Sequence, residues 1–103
     1  MSVVAEFTVM PVGTGEHVSP QIAHAVEVVA RSGLNYKLCP MGTVLEGELD
    51  QVFNVIRQCQ ERLAQECNRM IISVRVDWRK EPGVKMDQFV QHVQQQMGQK
   101  AKT

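Results

Sequence analysis

The chain has no net charge, few aromatic residues and no long apolar run. Its 11 basic and 11 acidic side chains cancel. A nucleic-acid-binding domain normally carries a basic excess or stripe, so that class is disfavoured. Attachment to a membrane surface through a polybasic segment is disfavoured for the same reason. No apolar stretch approaches the ~20 residues that span a bilayer. The opening MSVVAEF lacks the basic start and small-residue cleavage site of a secretory leader, so a cytoplasmic location is expected. Cysteine is sparse: Cys39, Cys59 and Cys67 are odd in number and show no C-x-x-C spacing. They read as reduced thiols of a core or a pocket, not as disulfides or metal ligands. His17, His24 and His92 lie far apart, without H-x-x-x-H or H-E-x-x-H, so zinc chemistry has little support and no cofactor is expected. What the chain does have is balanced charge with little self-repulsion, which tolerates association with copies of itself.

At 103 residues the chain is expected to form a single domain over 1–103, large enough to bury a core without staples. Residues 3–10 alternate as a strand, with Val3, Ala5, Phe7 and Val9 on one face. Pro11 and the glycines of PVGTG break it. Ser19-Pro20 reads as a cap and first turn of a helix, carried on by Ile22, Val26 and Val29 and closed at Gly33. Residues 35–39 and 43–48 form a hairpin. Asp50 is placed to cap a second helix with the stripe Val52, Phe53, Ile56, Cys59, Leu63 and Cys67. RMIISVRVDW is a strand ended by RKEPG. Met86, Val90, Val93 and Met97 give a last amphipathic helix, and residues 98–103 a frayed tail. The order predicts an α+β fold, the ferredoxin-like β-α-β-β-α-β sandwich with an extra C-terminal helix.

Nearly the same phrase occurs twice, MPVGT at 10–14 and CPMGT at 39–43. In this topology the first two strands are parallel, so both phrases fall at one end of the sheet. The first helix starts there too, at Ser19. They are expected to be two walls of one mouth, with Met10 and Met41 flanking it and Cys39 as a pocket thiol. The helices cover one sheet face. The other carries Val4, Val44 and Ile71 among balanced charges, Glu6, Glu46 and Asp77 against Lys37 and Arg75. That mixture suits burial against a second copy, as a dimer or tetramer.

Catalytic signals are weak. PVGTGEH could hold an anion at the helix start, but it has neither G-K-[ST] nor G-x-G-x-x-G spacing. Glu46 and Glu48 share a strand face, and no nucleophile–base pair can be placed. An enzyme acting on a small heterocyclic or phosphorylated metabolite and a protein-interaction module using the open sheet face stand as alternatives.

The run AEFTVMPVGTG…VSPQIAHAVEVVARSGLNYKLCPMGTVLEGELDQVF resembles the small thiamine-binding proteins of the YkoF-like class, which pair P-[small apolar]-G-T after the first strand with S-G-L-x-Y and P-M-G-T-x-x-E-G. The resemblance spans about Ala5 to Asp77; Trp78 departs from it. It implies a ferredoxin-like fold, dimers or dimers of dimers, and binding of thiamine or its hydroxymethylpyrimidine part without catalysis. Carried over, the ligand hydroxyls fall on Thr8 and Thr43, and Glu46 is the best carboxylate for the thiazolium cation. The ligand set is therefore Thr8, Met10, Ser19, Cys39, Thr43 and Glu46. Strict alternation sets Thr8 on the Glu6 face and Thr43 on the Leu45 face, a conflict that a bulge or a ligand wrapping the edge would resolve.

Overall fold

A computed structural model describes residues 2–81 and 85–103. The elements are β1 (Ser2–Val12), α1 (Ser19–Arg31), β2 (Asn35–Cys39), β3 (Gly42–Glu48), α2 (Leu49–Leu63), β4 (Arg69–Asp77) and α3 (Met86–Met97). The sheet order is β2-β3-β1-β4, with every neighbouring pair antiparallel. This is the ferredoxin-like arrangement with an added C-terminal helix. The proline and glycine expected to end the last strand, Pro82 and Gly83, lie outside the described residues.

The period-two pattern decides the faces. Val3, Ala5, Phe7 and Val9 of β1 and Leu45 of β3 are each no more than 4% exposed. They pack against Ala25 and Val29 of α1 and Val52, Val55, Ile56, Cys59 and Leu63 of α2. Phe53, expected in the α2 stripe, is 46% exposed, and Val55 takes its place in the core. Cys67 lies past the end of the helix. Glu66 Oε2 accepts a hydrogen bond from Arg62 Nη1 at 3.1 Å and lies 2.7 Å from His24 Nδ1, which ties α1 to the end of α2.

The helix caps differ from expectation. Ser19 is already helical; Val18 is the N-cap and supplies no side-chain bond, with Pro20 in the first turn. α2 is capped two residues earlier than Asp50, by Glu48, whose backbone N–H donates to Gln51 Oε1 at 3.0 Å. Gly33 has φ +78° after α1, the left-handed position that glycine enters without a Cβ penalty.

β1 is longer than the pattern suggests because Pro11 does not end it. β1 pairs with β3 only from Ser2 to Phe7, whereas its pairing with β4 continues from Val4 to Val12. Pro11 therefore lies where β1 is an edge on the β3 side, the setting in which a strand tolerates proline.

Cys59 is fully buried, and its thiol, pushed up to about 11 by desolvation, donates to the Ala25 carbonyl at 3.4 Å. A neutral buried thiol is inert. In the native protein an aromatic disulfide reagent should therefore titrate the two half-buried thiols, Cys39 and Cys67, and reach Cys59 only after denaturant is added. Three rapid equivalents would contradict this packing.

Candidate ligand-binding site on the open sheet face

The strand register arranges the uncovered face in rows. Asn35, Glu46, Val4 and Asp77 form one row, and Lys37, Val44, Glu6 and Arg75 the next. Cys39, Gly42, Thr8 and Ser73 form the third, where β2 and β3 end. Beyond it β1 and β4 continue alone, with Met10 and Ile71, 42% and 51% exposed, and then Val12 opposite Arg69. The third row contains only small side chains: a thiol, two hydroxyls and a glycine. It is a trough between a charged row and an apolar one.

Gly42 is required there by close approach. A Cβ at this position would come within 3.2 Å of the Phe7 carbonyl oxygen and 3.4 Å of Thr8 Cγ2. The glycine of P-M-G-T thus lets β3 press against β1 and keeps the trough floor low.

The charges around the trough are largely paired within the chain. Arg75 Nη2 donates to Glu6 Oε1 at 2.9 Å. Lys37 pairs with Asp87 at the start of α3, and the hydrogen bond and charge of Lys37 lower the Asp87 carboxyl pKa. Glu46 accepts from Asn35 Nδ2 at 2.7 Å through Oε1 and from the Met86 backbone N–H at 3.1 Å through Oε2. Glu46 therefore holds an orphan amide of the first turn of α3, a favourable place for a carboxylate. Among the described residues no group of three His, Cys, Asp or Glu side chains gathers to hold a metal. No helix among them is long and apolar enough to cross a membrane.

Thr8, Met10, Cys39 and Glu46 share this face. Thr43 and Ser19 do not. Thr43 pairs with Phe7 in unbroken register and is 6% exposed on the helix-covered face; Ser19 is exposed at the start of α1. No bulge brings the two threonines to one face. Sequence reasoning missed Gly42 and Ser73 as members of the row. Alternation assigns Ser73 to the open face, but only the register sets it opposite Thr8.

The two echoed phrases thus end on different features. CPMGT supplies Cys39 and Gly42 to the trough. MPVGT supplies Met10 to it and then turns toward the α2–β4 connection. There Val12, Gly13 and Thr14 face Ala64–Asn68 across a hollow of about 410 Å³. The Thr14 hydroxyl, and the Gln21 side-chain oxygen in α1, are buried without hydrogen-bond partners among the described residues.

Residues 5–94 match the profile of the family described as thiamine-binding protein. The UPF0045 protein MJ1052 of Methanocaldococcus jannaschii is 34% identical over 79 residues, 77% of this chain and 79% of its own. A UPF0045 protein of Mycobacterium bovis is 39% identical over 85 residues, 82% of this chain and 81% of its own. The crystal structure of MJ1052 superposes with a TM-score of 0.84 at 29% identity, covering 89% of this chain and 95% of that one. A Thermotoga maritima structure described as a candidate thiamine biosynthesis/salvage protein has a TM-score of 0.81 over 90% of this chain and 99% of its own. At 20% identity this is a likeness of fold. With a profile match across most of its length and relatives above 30% identity, the chain belongs to the thiamine-binding protein family.

Proposed function

We propose that this chain is a cytoplasmic, non-catalytic binding protein for thiamine or its hydroxymethylpyrimidine part, working as a homo-oligomer. The observation that carries the reading is the row Cys39–Gly42–Thr8–Ser73, set between ionic and apolar rows on an uncovered sheet face of a chain from this family. A flat aminopyrimidine needs a shallow floor, hydroxyls that both donate and accept, and apolar contact on its other edge. Thr8 and Ser73 supply the hydroxyls, and Met10 and Ile71 the apolar edge. The thiazolium cation needs a carboxylate. Glu6 is in the adjacent row with Oε1 held by Arg75, and Glu46 lies one row further, with a hydrogen bond already on each oxygen. The homo-oligomer reading rests on the same face, where Val4, Val44, Met10 and Ile71 need cover that α1 and α2, on the opposite side, cannot give.

Titration calorimetry on two threonine variants tests the placement. Thr8→Val removes a trough hydroxyl and keeps a strand-compatible shape. It should weaken thiamine binding by about 1–2 kcal/mol, the scale for leaving a ligand polar group unpaired. Thr43→Val, on the opposite face, should bind as the wild type does. Absence of binding heat from both thiamine and hydroxymethylpyrimidine would remove the functional reading. A loss in Thr43→Val with none in Thr8→Val would move the site to the helix side of the sheet.

A further inference from the structure

The C-terminal helix α3 is amphipathic, yet it fully buries only Met86 at its beginning, with Val90 and Gln94 half-buried. Met86 is 8% exposed, held over the open face by Glu46 and the Lys37–Asp87 pair. From there the apolar stripe emerges: Phe89, Val93 and Met97 are 57%, 41% and 49% exposed. They are spaced four residues apart and form one line along the helix. A 12-residue helix is marginal alone in water and depends on burying such a stripe. The chain is also extended for its length, with a radius of gyration of 15.0 Å where a compact domain of this size has about 13 Å.

From this, and resting on the trough as the ligand site, we infer that α3 is an inter-subunit arm. Its Phe89–Val93–Met97 stripe lies across the uncovered sheet face of a second copy and closes that copy's trough. Three observations select a second copy as the occupant. The same chain carries both halves, an uncovered apolar helix stripe and an uncovered mixed sheet face, so a two-fold exchange buries both at once. The ions of the two charged rows are paired within the chain, Glu6 with Arg75, Lys37 with Asp87 and Asp77 with Arg79; the surface that covers them needs no charge, and the stripe has none. At ~18 Å, a 12-residue helix is long enough to cross the ~14 Å width of four strands. In this assembly Phe89 of one copy approaches Met10 and Ile71 of the other and gives a bound pyrimidine the aromatic contact that the trough's own residues do not.

The test is the mass in solution of the wild type and of a Phe89→Gln/Val93→Gln double variant. Glutamine is a good helix former and already dominates the other face of α3. Circular dichroism and a thermal melt establish that both proteins are folded. The expected result is a wild-type mass of at least two chains of 11.6 kDa and a lower mass for the variant, with thiamine affinity reduced about tenfold or more, equivalent to ~1.4 kcal/mol. A photo-crosslinker at position 89, in a mixture of light and isotope-labelled protein, should join peptides of different copies at residues 8–12 or 69–75. A monomeric wild type, an unchanged mass in the variant, crosslinks confined to one chain, or unchanged thiamine affinity in a dissociated variant would each overturn the inference. If the mass falls and the crosslinks run between copies, but the wild type gives no heat with thiamine, the arm stands and the ligand reading falls.

Discussion

Ser73→Tyr is expected to abolish thiamine binding and leave the fold intact. Ser73 is exposed on β4 directly opposite Thr8. Its sequence neighbours Ile72 and Val74 point to the other face, so the core does not feel the change. Tyrosine suits a strand, and its ring is long enough to fold over Thr8 on the neighbouring strand. Ligand and side chain would then compete for one volume. Loss of the hydroxyl contacts and of the space together should reduce affinity by at least about 100-fold, ~2.7 kcal/mol. The melting temperature should move only slightly, since surface substitutions of this kind stay within about 0.5 kcal/mol. Calorimetry with thiamine decides it. Wild-type affinity in the tyrosine variant would place the ligand elsewhere, and the hollow beside Thr14 would become the first place to look.

The topology and both sheet faces were legible because period-two alternation in β1 and β4 is long and regular, and because right-handed crossovers leave few ways to arrange two helices around a hairpin. Glu6 and Arg75 could both be assigned to the open face from alternation alone, and they pair there at 2.9 Å. Three features were not legible. The N-caps of α1 and α2 are Val18 and Glu48, neither of which belongs to the residue types that favour caps most strongly. The row Cys39–Gly42–Thr8–Ser73 depends on register among four strands, and alternation fixes a residue's face without fixing its row. The anchoring of α3 by Glu46 joins groups 40 residues apart, and the chain has no periodicity at that distance. Glu46 itself shows the limit of residue-type reasoning. A carboxylate beside a proposed cation site looks like a ligand, and its two oxygens already accept from Asn35 and the Met86 amide.

Leu45→Ala should be the most destabilising simple truncation on β3. Leu45 is 0% exposed, pairs with Ala5 on one side and Tyr36 on the other, and belongs to the main core cluster, on a strand packed against α2. Its strand neighbours hold the backbone in place, so the surroundings cannot collapse into the gap. The loss of transfer energy and the residual cavity together cost about 2–5 kcal/mol for such a leucine. That is a large share of the ~5–15 kcal/mol that holds a domain of this size folded. Phe53→Ala is the informative contrast. Phe53 fits the helical stripe of α2 by sequence, but it is 46% exposed, so its truncation should cost clearly less than that of Leu45 even though the side chain is larger. Urea unfolding of the three proteins at one chain concentration separates the cases, because any association with copies of itself adds a concentration-dependent contribution to stability. An unchanged m-value with a lowered midpoint would show that stability alone has changed. Equal losses at the two positions would mean that Phe53 is covered in solution, either by a different rotation of α2 or by another chain. The concentration dependence of the Phe53→Ala midpoint would then tell these apart, since only an intermolecular contact weakens on dilution.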